Sequence, residues 1–294
     1  PGALTMSEWN KVRQYMKDGM HFSRYNSTYG YDDYGNRNSA NYNVYHKPQI
    51  SLNHVWQIDH KSSLSTTLYT SIGRGYGRTA EPGYQSSYKY SDLTYGASYG
   101  TLATTFRRAD GTFDYGAIET INDPSNPIYD ETSDSFEKPY YGSQLVICEN
   151  RNYHNWYGLV STYQNKFADV IDFSAGIDLR YYKGIHNAVV SDLMGGTYFI
   201  DATRSSVKAA NNSAANDPAW ITEKLGIGDI AYRNYNGYVV QEGAFVQAEY
   251  NENNWSAFIN GSFNYNHYWK EDFFYYDAEH SRSKVLGFAG GTVK

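Results

Sequence analysis

The stretch from Val170 to Tyr182 constrains the fold more than any other. Ile171, Phe173, Ala175, Ile177, Leu179 and Tyr181 are apolar or aromatic, and Asp172, Ser174, Gly176, Asp178 and Arg180 fall between them. Successive side chains of a β-strand point to opposite faces, so this strand has one wholly apolar face and one that carries charge. A strand of a soluble sandwich does this over about five or six residues; here the pattern holds for about a dozen, close to the length of a tilted strand crossing a bilayer.

The pattern recurs in pairs. Pro48 to Ile58 and Ser62 to Gly73 alternate around the polar turn Asp59-His60-Lys61, which makes a hairpin. Tyr153 to Asn165 and Val170 to Tyr182 are joined by Lys166-Phe167-Ala168-Asp169, and Val240 to Tyr250 and Trp255 to Trp269 by Asn251-Glu252-Asn253-Asn254. In the last strand, Trp255 at one end and Tyr265 and Trp269 at the other flank an apolar centre, as in the aromatic girdles of a membrane barrel. A seventh strand is predicted near Val285 to Val293. Connections between pairs are long, Arg74 to Asn152 and Lys183 to Tyr238, with a shorter one from Lys270 to Ser283. Short turns at one end and long loops at the other are the topology of outer-membrane barrels. The predicted fold class is therefore all-β: part of an antiparallel transmembrane β-barrel, with short helices in long extracellular loops. The competing reading is a soluble or surface-tethered, tyrosine-rich β module that binds glycans.

Composition agrees. The 294 residues include 32 Tyr, 13 Phe and 6 Trp; such rings favour strands and suit a membrane interface or a sugar-binding surface. Mean hydropathy is −0.68, and no apolar run is long enough for a helical span, which does not count against a barrel. A net charge of −6 without any basic run argues against a nucleic-acid partner. Cys148 is the single cysteine, so neither a disulfide framework nor a thiolate metal site is available. No signal peptide is recognisable, and the chain ends at Gly291-Thr292-Val293-Lys294 inside what reads as strand pattern, so a longer precursor is expected.

Local signals fill the connections. Thr5 and Glu8 have capping-box spacing, followed by Trp9, Val12 and Met16 at helical intervals. Tyr25 to Tyr45 reads as turns; Asp32, Asp33, Asn36 and Asn38 fit no EF-hand spacing. Gly73-Arg74-Gly75-Tyr76-Gly77 lacks the ending of a phosphate loop. Gly111 to Ile118 and Gln144 to Ile147 are expected to form hairpins. Asp217, Pro218 and Gly226 predict a short helix with N-cap, N1 and closing residue.

No catalytic or metal-ligating constellation is found, and no cofactor is expected: the eight histidines are scattered, without a pair at metal-ligand spacing. His54 and His267 fall on the apolar face near strand ends. Asp172, Asp178, Arg180, Asn260 and Asn264 fall on the opposite, lumen-facing side, where pairing with neighbours and contact with cargo are both open. The candidate binding residues are loop aromatics: Tyr84, Tyr88, Tyr90 and Tyr95, then Tyr140 and Tyr141, then Phe273, Phe274, Tyr275 and Tyr276. Such rings stack on sugars or apolar cargo, or pack loops against one another.

The strings Tyr45-His46-Lys47-Pro48-Gln49-Ile50-Ser51-Leu52-Asn53-His54-Val55-Trp56, Asn155-Trp156-Tyr157-Gly158-Leu159-Val160, Tyr182-Lys183-Gly184-Ile185-His186 and Asp192-Leu193-Met194-Gly195-Gly196-Thr197-Tyr198 resemble the barrel of TonB-dependent receptors of Bacteroidetes. The resemblance runs along nearly the whole chain. It implies a place in the cell outer membrane, a barrel of about 22 strands with an N-terminal plug, and uptake of a scarce nutrient driven by the TonB complex. A surface lipoprotein over the loops is a further possible partner. The chain departs from the pattern in showing only seven strands, no plug, no TonB box and no closing C-terminal strand. Residues 1–294 would then be a central piece of the barrel domain, in contact with outer-membrane lipids, with cargo identity open.

Overall fold

The computed structural model describes residues 4–16, 24–93, 100–125, 141–277 and 282–293. The chain is mostly β. In order it forms α1 (Met6–Val12), β1 (Tyr29–Tyr31), β2 (Arg37–Ser39), β3 (Asn43–His46), β4 (Gln49–Gln57), β5 (Ser62–Pro82), α2 (Tyr90–Leu93), β6 (Phe113–Asp114), α3 (Tyr115–Asn122), β7 (Leu145–Phe167), β8 (Ile171–Asp192), α4 (Pro218–Ile221), β9 (Ile230–Glu252), β10 (Trp255–Asp272) and β11 (Arg282–Val293). The large sheet has the order β3-β5-β7-β8-β9-β10-β11, with β4 also on β5. β4 runs from Gln49↔Ser71 to Gln57↔Ser63, and Tyr42 just before β3 accepts a hydrogen bond from the Arg78 amide. The two are successive pieces of one strand position, interrupted at Lys47-Pro48, where proline has no N–H for a ladder. Among the described residues seven strand positions result, and the sheet they form is open: it does not close on itself.

The pairing of hairpins follows the sequence reading. Asp59 caps its turn by accepting from the Lys61 and Ser62 amides at 2.7 and 2.9 Å. Ala168 and Asp169 both take positive φ, 49° and 61°, the backbone of the tight hairpin turn that matches strand twist. β9 and β10 pair from Glu252↔Trp255 to Tyr235↔Asp272.

The strands are longer than alternation alone predicts. β5, β7, β8 and β9 span 21, 23, 22 and 23 residues. The long connections therefore shrink to 83–144 and 193–229. Gln144 to Ile147 is no separate hairpin; it leads into β7, and Leu145, Val146, Ile147 and Cys148 are all buried. Gly111 to Ile118 is no hairpin of its own; its first residues return antiparallel along Phe106 to Arg108, with Arg107 bridging Phe113. Phe113–Asp114 pairs in parallel with β1, and α3 follows, capped by Asp114 on the Ala117 amide. The helix after Asp217 forms as the cap predicts but ends at Ile221; Gly226 instead gives its amide to Asp229 Oδ2. Thr5 caps α1 through the Glu8 amide, as its spacing requires.

Two compact units emerge. One comprises Pro1–Val44, Tyr76–Arg151 and Asn187–Asn234; the other comprises Tyr45–Gly75, Asn152–His186 and Tyr235–Lys294. The first holds the buried cores. Ala40, Ala80, Leu93, Phe106, Phe113, Tyr115, Ile118, Leu145, Ile147 and Met194 form one cluster, and Val146, Cys148, Val190, Phe199, Leu225 and Ala231 the other. Odd residues of β7 enter the first cluster and even residues the second, so this strand end is buried on both faces.

Candidate functional site

The second unit presents two unlike faces. On one, the alternation puts Ile50, Leu52, Leu68, Tyr157, Leu159, Ile177, Leu179, Val246, Ile259 and Phe263. Leu52 is 68 % and Ile259 54 % exposed, although burial of such side chains is what ordinarily drives folding in water. A groove of about 680 Å³ lies among Ile50, Leu52, Leu68, Tyr157, Leu179 and Val240. Aromatic and cationic groups border this face near the long-connection ends of the strands. Trp269 stacks on Tyr238 (4.6 Å, 3°) and meets His267 at a tilt (4.9 Å, 39°), Lys183 lies 5.4 Å over Tyr238, and Arg74 lies 5.1 Å over Tyr153. At the short-turn end, Phe173 packs between Tyr163 and Phe167, and Trp255 is exposed. Glu242 breaks the pattern, standing opposite Tyr265 on this face.

The other face is polar. Asp172, Asp178 and Arg180 lie on it, as do Asn260 opposite Gln247 and Asn264 opposite Gly243. The structure gives them different surroundings. Asp172 pairs with Lys166 at 3.5 Å and Asp178 with Arg180 at 3.1 Å. The Arg180 guanidinium lies 5.7 Å over the Trp156 ring, a geometry that favours the cation, and Trp156 meets Tyr69 edge-on at 5.8 Å. Gly158 makes room for Tyr69: a Cβ there would stand 2.1 Å from the Tyr69 Cζ. Asn264 packs similarly over Gly243.

Sequence reasoning missed the rings on this face. His154 stacks on Tyr182 at 5.9 Å and meets Ser71 Oγ at 3.0 Å. His186 stacks on Tyr235 at 4.8 Å and shares a hydrogen bond with Asn152 at 2.8 Å. The signal was available: Tyr182 and His186 follow Arg180 at even intervals and so share its face. Within this patch Trp156 Nε1, Asp178 Oδ1 and Arg180 Nε are buried without a hydrogen-bond partner among the described residues. Chemically, the patch offers flat rings with donors and an acceptor beside them, which suits a polar guest with an apolar flank.

The loop aromatics divide between packing and exposure. Tyr84 meets Tyr141 edge-on at 5.8 Å, and Tyr88 packs on Phe106 at 5.2 Å against the core of the first unit. Phe274 is buried and meets Tyr275 at 5.0 Å, while Phe273 and Tyr275 are exposed and Tyr276 is half-buried. Tyr90 opens α2; its side chain, like Tyr95 and Tyr140, lies outside the described residues. Tyr34, at the tip of the β1–β2 turn, is 87 % exposed. Asp32 holds that turn by accepting from the Asn36 side-chain amide at 2.8 Å and from the Tyr34 and Asn36 backbone amides at 2.9 and 2.8 Å; the Asn36 side chain first, then the backbone amides, hold its carboxyl below the usual range. Cys148 is buried, and burial pushes its thiol up, away from the reactive thiolate.

No protein-family model matches this chain, and no curated protein matches it.

Proposed function

We propose that the chain is part of the barrel of an outer-membrane transporter of the TonB-dependent kind, taking up a scarce polar nutrient. One observation carries this reading: the sheet of the second unit has an exposed apolar face bordered by aromatic rings and a polar face opposite. In water that apolar face has no reason to stay bare, whereas hydrocarbon suits it. Alternating short turns and long connections support the same reading.

Within it, outer-membrane lipids cover the apolar face. The polar face, with Asp178, Arg180, Asn260 and Asn264, lines the lumen, and cargo is taken by exposed loop aromatics such as Phe273 and Tyr275. Lipid-exposed edges with unpaired backbone groups are costly, so further strands beside β4 and β11 belong to the proposal. A plug domain that engages the TonB complex belongs to it too, as does room for a surface lipoprotein over the loops. Transport then requires no chemistry on the cargo, only a shift between closed and open states of the path. No cofactor, metal or nucleic acid takes part.

The test is the intact mass of the polypeptide extracted in detergent from its native membrane fraction. A mass roughly two to three times 33.5 kDa is expected for a barrel of about 22 strands with its plug. A soluble polypeptide near 33.5 kDa would overturn the transporter and favour a glycan-binding module built on the same aromatics.

A further inference from the structure

The polar face of the second unit carries a band of rings that crosses β5, β7, β8 and β9, which are consecutive in the sheet. Tyr69 of β5 meets Trp156 of β7 edge-on at 5.8 Å, His154 of β7 stacks on Tyr182 of β8 at 5.9 Å, and His186 of β8 stacks on Tyr235 of β9 at 4.8 Å. Three strand spacings make the band about 14 Å wide across the strands, too long for a guest of one ring. All six rings are half-buried, so each keeps part of its surface open. Two of them are steadied from the side: Ser71 Oγ lies 3.0 Å from His154 Nε2, and Asn152 Oδ1 2.8 Å from His186 Nδ1. Rings held in place beforehand bind a guest at a smaller entropic cost.

Polar groups sit among the rings. The Arg180 guanidinium lies 5.7 Å over Trp156, and Lys270 Nζ lies 4.4 Å over Tyr235. Each of these cations is matched by a carboxylate two residues away on its own strand, Arg180 by Asp178 at 3.1 Å and Lys270 by Asp272 at 2.5 Å. An anion gains little from cations already paired, so the chemistry favours an uncharged guest. Trp156 Nε1, Arg180 Nε and Asp178 Oδ1 have no hydrogen-bond partner among the described residues. Two donors and an acceptor in one cluster are the complement of adjacent hydroxyls, each of which both donates and accepts.

We propose that this band is a carbohydrate-binding track. An uncharged oligosaccharide lies along it, the CH faces of its sugars on the rings and its adjacent hydroxyls at the Asp178–Arg180 pair. A sugar ring has an apolar face and a polar rim, the two characters that the band sets side by side. A phosphate ester or an anionic chelate needs unpaired cations, and a wholly apolar guest leaves the donors empty. The track belongs to the polar face whether that face lines a lumen or a soluble module, so it does not rest on the transporter reading.

The test is isothermal titration of the full-length polypeptide that carries this chain, in detergent where it is extracted with the membrane. The probes are uncharged oligosaccharides cut from starch, β-glucan, xylan and mannan, with polygalacturonate fragments as the anionic comparison. Saturable binding of one or more of the uncharged glycans is expected. Trp156→Ala and His186→Ala, toward opposite ends of the band, are each expected to weaken it about tenfold or more. Tyr157→Ala removes a ring from the opposite face of the same strand and is expected to leave the affinity level. Silence across the uncharged glycans, binding confined to polygalacturonate fragments, or an equal loss in Tyr157→Ala overturns the track. Should Trp156→Ala fail to fold, unchanged affinity in His186→Ala overturns it equally. The mass of the extracted polypeptide is read separately, so a failure of the track leaves the transporter reading standing, and the reverse holds too.

Discussion

At the scale of single residues, the first unit is held by polar side chains buried among apolar ones. Asn122 is fully buried; its amide donates to the Leu145, Leu193 and Met194 carbonyls, and its oxygen accepts from the Gln144 amide at 2.7 Å. It ties the end of α3 to two other segments at once. Asn122→Leu leaves those backbone groups unpaired, and a loss of about 3 kcal/mol is expected, read as a lower denaturant midpoint. Arg107 plays the same part, donating to the Ala103, Gly111 and Ser27 carbonyls, and so does Tyr115, between the Ala40 amide and the Thr28 carbonyl. None of these was legible beforehand, because their partners are backbone groups up to 87 positions away in sequence. At a turn the reasoning is local. Ala168 sits at φ 49°, where an L side chain is strained, so Ala168→Gly is expected to stabilise by about 0.5–1 kcal/mol. An unchanged midpoint in an equilibrium melt would refute that.

At the scale of elements, alternation located the strands where one face is apolar and the other polar. It lost them where both faces are covered. Leu145-Val146-Ile147-Cys148 and Ala188-Val189-Val190 are buried on each side, and a strand buried twice reads as an unbroken apolar run. That is why β7 and β8 reach well past their predicted ends. Short strands such as β6 and helix α3 carry too few residues for periodicity to separate them from turns. In the strands that do alternate, the two faces make opposite predictions. Ile177→Arg on the apolar face is expected to cost about 2–4 kcal/mol in folding into lipid vesicles, whereas Ser174→Arg on the polar face is expected to fold nearly as well as wild type. Equal tolerance at both positions would rule out a lipid-facing surface there.

At the scale of the whole molecule, the open sheet and its bare apolar face set the behaviour in solution. In buffer residues 1–294 produced alone are expected to associate through that face, and detergent is expected to reduce that association. A monodisperse single copy in plain buffer, by light scattering, would argue for the soluble module. The sequence by itself determined that the chain is mostly antiparallel β, and it determined the hairpin order. A period of two over about a dozen residues is a local property that survives without tertiary contacts. It also placed Asp178 and Arg180 on one face with Asn260 and Asn264. Only the tertiary structure decided that Trp156, Tyr69, His154 and Tyr182 join them, that Tyr88 and Phe274 turn inward, and that the Tyr232 hydroxyl meets Asn150. Those outcomes depend on which strands become neighbours and in what register. Register is set by the competition of many weak long-range contacts rather than by any local run of residues.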